Sequence, residues 1–122
     1  MGKEYIPQRS DLIWIDMNPL AGHVQSGRRP AIVLSPKNYN DKVGLALLCP
    51  ITNQVKGYPF EVILPEGLKI KGVILSDQLK SLDWKIKKAA FIDSVPEHTI
   101  EETLKKPTPC YNPEQYSQLS LS

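Results

Sequence analysis

The 122-residue chain has room for one domain, and its 41% hydrophobic content supports a packed core rather than disorder. A formal net charge of +2 is too small to mark a nucleic-acid binder by itself, so any polyanion site must be local. No apolar run approaches transmembrane length and the polar start MGKEYIPQRSD lacks the apolar stretch of a signal peptide, so the expected compartment is the cytoplasm, with no membrane partner.

In chain order, DLIWIDM (11–17) is rich in β-formers and predicts a strand. The segment 18–29 carries Asn18, Pro19, Gly22 and Gly27 and predicts a long loop, a kind of segment that often carries function. PAIVLSP (30–36) predicts a second strand and KNYND (37–41) one helical turn before Gly44. GLALLCPIT (44–52) barely alternates, so it predicts a strand buried on both faces. NQVKG (53–57) reads as a turn, YPFEVILP (58–65) as a fourth strand, GVILSDQLK (72–80) as a fifth, and 84–95 holds one more. EHTIEETLKK follows Ser94 and Pro96, with acids first and lysines last, as the dipole of a short helix prefers. Pro107 and Pro109 stop it, dividing the chain into a domain over 1–106 and a proline-containing tail over 107–122. Short strands at this spacing indicate a barrel or a strongly twisted antiparallel sheet.

The two cysteines, Cys49 and Cys110, have neither CxxC spacing nor a histidine cluster, so no metal site is expected; Cys49, in an apolar strand, reads as a buried reduced thiol. Trp14 and Trp84 are expected to serve the core or an interface, and Tyr58 and Phe60 the core rather than stacking on a nucleic acid.

Four stretches, DLIWIDMNP, GRRPAIVLSP, PITNQVKGYPFEV and GVILSDQLKSLDW, resemble the MazF/PemK toxin family in order and spacing, over about Tyr5 to Phe91. The resemblance implies a mainly β fold of the CcdB/PemK type, an SH3-like barrel with a short C-terminal helix, assembled as a homodimer. It implies a toxin-type endoribonuclease (an mRNA interferase) that cleaves single-stranded RNA without a cofactor, leaving 2′,3′-cyclic phosphate and 5′-OH ends. Its implied partners are that RNA and a MazE/PemI-type antitoxin.

Such chemistry needs a base for the 2′-OH proton, charge stabilisation on the phosphate and an acid for the leaving oxygen. Arg29 suits the second task, because its guanidinium fork matches phosphate geometry. By resemblance, Arg29 and Thr52 are catalytic, and Asp77 matches a carboxylate that some members use as a base. Gln25, Arg28, Asn53, Gln54, Lys56 and Gln78 are candidate RNA contacts. Lys80, Lys85, Lys87 and Lys88 form a second basic stretch, read first as a solvated face.

The chain departs from the family in its first loop, usually Gly-x-Glu-Gln and here Gly22-His23-Val24-Gln25. Valine cannot accept a proton. Either His23, whose ordinary pKa suits the task, or Asp77 serves as base, or the chain is a weakened toxin or an RNA-binding form. Leu75 stands where other members carry Arg. A CcdB-like gyrase poison would share the fold, yet that type needs a tryptophan near its C-terminus and this chain ends SQLSLS.

Overall fold

The structure, a computed structural model, describes residues 4–17 and 27–106. His23, Val24, Gln25 and the tail 107–122 lie outside the described residues. Within them the chain forms seven strands and two short helices: β1 (Asp11–Asp16), β2 (Arg28–Val33), α1 (Lys37–Val43), β3 (Leu45–Thr52), β4 (Glu61–Ile63), β5 (Val73–Leu75), β6 (Lys80–Asp83), β7 (Ala90–Ser94) and α2 (Glu97–Lys105). The mainly β fold with a short C-terminal helix matches the expectation.

The strands run in the order β4-β5-β3-β2-β1-β7, with β6 also on β3, and every pairing is antiparallel. β3 is the hub. Its first half pairs with β6 (Leu45↔Asp83 to Leu48↔Lys80) and its last two residues with β5 (Ile51↔Ile74, Thr52↔Val73). Alternation along the strands splits the core between the two faces of the sheet. Leu12, Ile32, Cys49 and Ile51 pack on one side with Val62, Ile74 and Ile100. Ile13, Ile15, Ala31, Val33, Ala46 and Leu48 pack on the other with Trp84. This is why the β3 sequence shows almost no polar alternation: both of its faces are covered.

α1 runs for two turns rather than the one expected, and it stops at Gly44, whose φ of 82° supplies the left-handed cap. Asn40 on this helix is fully buried and satisfied. Its amide donates to the carbonyls of Pro7 (2.7 Å) and Ser35 (3.1 Å), and its backbone oxygen accepts the Trp84 indole N–H (2.8 Å). Trp84 is thus a core residue, as read from the sequence, whereas Trp14 is 39% exposed.

α2 docks through Ile100, Thr99 and Thr103. The Arg9–Glu97 ion pair (3.0 Å) also touches it, but both partners are exposed, so it contributes less than ~1 kcal/mol. Complete burial of Ile100 contributes about 1.5–3 kcal/mol and dominates.

Two expectations are corrected. Arg28 and Arg29 are the first residues of β2, not the end of a loop. The stretch 72–80 is not one strand. It breaks at a turn between β5 and β6, where the Gln78 N–H donates to the Leu75 carbonyl (3.1 Å) and the Ser76 N–H and hydroxyl both donate to the Phe60 carbonyl.

Candidate active site

The antiparallel register of β2 and β3 (Ala31↔Pro50, Ile32↔Cys49, Val33↔Leu48) sets the start of β2 beside the end of β3. Arg29 and Thr52 therefore meet at one end of these two central strands. They line a shared wall, with Ile51, between two adjoining clefts of about 330 and 440 Å³. The first cleft also takes Gln54, Lys56, Tyr58, Glu61 and Gln78; the second takes Trp14, Arg28, Asn53 and Lys71. Of the ten residues named from the sequence, Arg28, Arg29, Thr52, Asn53, Gln54, Lys56 and Gln78 thus come together.

Among the described residues no carboxylate forms an ion pair with Arg29. Arg28 is more committed: its guanidinium donates to the Lys88 carbonyl (2.9 Å) and ties β2 to the turn before β7. The Thr52 hydroxyl oxygen accepts the Gln54 N–H (3.1 Å), which leaves its own proton available to donate. Thr52 is held from behind by Gly72. A Cβ on Gly72 would lie 2.3 Å from the Thr52 carbonyl oxygen, and its φ of +139° is itself unfavourable to a side chain. Only glycine lets β5 approach β3 this closely.

The loop 53–58 is held by Glu61, a residue the sequence reading passed over. The residue is 8% exposed; its carboxylate accepts the N–H groups of Lys56 (3.2 Å) and Gly57 (3.0 Å), while its own N–H donates to the Tyr58 carbonyl (3.0 Å). A sequence signal existed: a charge between Phe60 and Val62 in an apolar run must find partners if buried. Gly57, at φ +81°, supplies the bend that turns these N–H groups inward. Tyr58 corrects another expectation. It is 51% exposed, not in the core, and stacks on the buried Phe60 with ring centroids 5.1 Å apart.

Asp77 does not line either cleft. Its Oδ1 is buried without a hydrogen-bond partner among the described residues. Its charge, after burial, helps push the Cys49 thiol up to about 12, so Cys49 is a buried protonated thiol as expected. In the second basic stretch, Lys85 pairs with Glu4 (3.2 Å) and lies over the Trp84 ring, away from the clefts.

A family model of PemK-like, MazF-like toxins of type II toxin–antitoxin systems matches residues 8–106. The chain belongs to this family. Among curated MazF/PemK proteins, the endoribonuclease toxin MazF of Escherichia coli K12 is 51% identical over 89 residues, covering 73% of this chain and 79% of the relative. The E. coli endoribonuclease PemK is 30% identical over 113 residues, covering 85% of each. Among solved structures, Deinococcus radiodurans MazF superposes with a TM-score of 0.76 at 46% identity, covering 83% of this chain and 92% of that one. A MazE–MazF complex from the same organism gives 0.72 at 41%, covering 82% and 89%. The fold and the family implied by the four sequence motifs are therefore those of the molecule. No helix among the described residues is long and apolar enough to cross a membrane.

Proposed function

We propose that this MazF/PemK-family chain is a sequence-specific, metal-independent endoribonuclease toxin that cleaves single-stranded mRNA in the cytoplasm and is neutralised by a MazE-type antitoxin. The observation that carries the proposal is the convergence of Arg29 and Thr52 on one wall of a cleft furnished with Lys56, Gln54 and Gln78. Relatives named endoribonucleases and a related toxin solved with MazE support it.

In the proposed reaction a base takes the 2′-OH proton, the 2′-oxygen attacks the adjacent phosphorus, the bond from phosphorus to the 5′-oxygen breaks, and the leaving oxygen takes a proton from water. The products are a 2′,3′-cyclic phosphate and a 5′-OH. Nucleophile and phosphate belong to one nucleotide, so the protein need only position the strand and stabilise charge. Arg29 holds the non-bridging oxygens with its fork. Thr52 donates its free hydroxyl proton to one of them, its oxygen steadied by Gln54. Lys56, Gln54, Asn53 and Gln78 contact the strand, with Arg28 at the margin of the second cleft.

For the base, the position of Asp77 off both clefts favours His23. The segment that carries His23 leaves and rejoins the described chain beside Arg28, where the Met17 N–H donates to the Gly27 carbonyl (2.7 Å). Gln25, in that segment, is a further proposed RNA contact. The functional unit is proposed to be a homodimer.

The test is incubation of the protein with a long single-stranded RNA in EDTA, beside Arg29→Ala, with the new ends analysed. The expected result is discrete cuts with cyclic phosphate ends, slowed by about 10²–10³-fold in the variant. Intact RNA refutes nuclease activity in this chain, and Val24→Glu in the same assay then separates a weakened toxin from an RNA-binding form.

A further inference from the structure

Beyond the groups that face the phosphate, the cleft presents a pre-stacked aromatic pair. Phe60 is buried, and its carbonyl is fixed by the Ser76 N–H and hydroxyl. Tyr58 lies against it at an interplanar angle of 11°. Phe60 covers one face of the Tyr58 ring, and Tyr58, 51% exposed as a residue, lines the cleft. The Tyr58 backbone is gripped as well. Its carbonyl accepts the Glu61 N–H, and the Glu61 carboxylate holds the two residues before it. A half-exposed aromatic ring stacked on a buried one, on a backbone that is itself held, leaves less rotamer freedom for binding to remove.

We propose that Tyr58 is a base-stacking residue: one unpaired nucleobase of the RNA lies on its open face, extending the Phe60–Tyr58 stack by one ring while Arg29 and Lys56 hold neighbouring phosphates. The ligand is taken from the ribonuclease reading above. The chemistry of the cleft selects it on its own terms too. Two cations beside a flat aromatic face suit a strand whose charges and π-faces alternate. Every base has a π-face, so Tyr58 strengthens binding at one nucleotide without choosing its identity. The hydrogen-bonding side chains that share the cleft, Gln54 and Gln78, are left to discriminate base edges. Tyr58 is therefore a binding residue that tightens the complex, not a group that takes part in proton transfer.

The test uses the full chain and a fluorescein-labelled single-stranded RNA carrying 2′-fluoro sugars, which cannot undergo internal attack. It is paired with a set of the same strand holding one abasic nucleotide at each position in turn. Binding is read by anisotropy. Tyr58→Ala is expected to weaken binding about tenfold, the scale of one lost base–aromatic stack, while Tyr58→Phe stays within about twofold. In the wild-type protein one abasic position costs a similar factor, and in Tyr58→Ala that position costs nothing more. A purely structural role for Tyr58 would leave the abasic penalties the same in both proteins, and that result, or unchanged binding by Tyr58→Ala, overturns the proposal. Cleavage of the unmodified strand is followed in parallel. Its absence would refute the nuclease reading while the anisotropy still decides the stack.

Discussion

Glu61 offers the sharpest test of how the cleft is built. Replacing it by Gln removes the charge and one of the two acceptor oxygens, and turns an N–H₂ group toward the N–H donors of Lys56 and Gly57. Hydrogen bonds to a charged acceptor contribute about 1.5–3 kcal/mol each. Lys56 and Gly57 are exposed, so water recovers part of that loss. The expected cost is about 1–2 kcal/mol for Glu61→Gln and about 2–4 kcal/mol for Glu61→Ala, which also leaves a void under the Lys56–Gly57 backbone. For a domain of this size that corresponds to a fall in Tm of roughly 4–8 °C for the Gln variant. The consequence for RNA is the more telling one. Lys56, Gln54 and Tyr58 ride on the loop that Glu61 clips, so RNA affinity should fall further than Arg29 and Thr52 alone would explain. The assay is thermal unfolding followed by circular dichroism, paired with RNA binding well below the transition. Wild-type Tm together with wild-type affinity in Glu61→Gln would refute the argument that this carboxylate organises the loop.

Two further outcomes follow from the packing. Gly72→Ala should destabilise the fold by about 2–3 kcal/mol in urea titrations, since the added Cβ meets the Thr52 backbone at 2.3 Å and φ is +139°; the folded variant should also cut RNA more slowly, because Thr52 must move. Stability should decline at alkaline pH. The folded chain keeps the Cys49 thiol protonated up to about 12 against an ordinary 9.0, and burial also raises the Tyr5 phenol, which donates to Asp11. The contribution of these groups is complete below about pH 9 and is lost as pH rises toward their folded values, because the unfolded chain releases the protons first. Urea midpoints between pH 7 and 11 should show a steeper fall for wild type than for the Tyr5→Phe/Cys49→Ala pair.

Much of this architecture can be read along the chain, and what escapes does so for identifiable reasons. β1 and β3 are legible because their apolar runs are bounded by turn residues, and α2 because its charges follow the helix dipole. The break between β5 and β6 is not legible, because SDQL contains no glycine or proline. It is a turn because Phe60, sixteen residues earlier than Ser76, offers its carbonyl there. The exposure of Tyr58 escapes the sequence for a related reason. YPFEVILP reads as a single apolar strand, yet Pro59 and Phe60 form a turn, so β4 starts only at Glu61. Arg29 and Thr52 were found through a family pattern, and their chemistry made sense of it. Glu61 and Gly72 act through backbone groups elsewhere in the chain, which no single stretch of sequence displays.

The site therefore has two kinds of anchor, and they should respond differently to change. Arg29 and Thr52 sit at strand ends, fixed by the β2–β3 register and by the close approach of Gly72, so moving either one means disturbing the sheet. Gln54, Lys56 and Tyr58 sit on a loop whose hold on the body of the protein runs largely through one carboxylate. On the proposed reading, the groups that meet the reacting phosphate belong to the rigid part and those that meet the bases, Gln78 apart, belong to the clipped part. Loop substitutions can then alter which strand is taken while the Arg29–Thr52 geometry persists. On the same reading, that division accounts for how so small a domain would act on RNA. The reaction needs few groups held accurately, and the sheet holds them; recognition needs several groups on one short loop, and the Glu61 carboxylate with the Tyr58–Phe60 stack holds that loop.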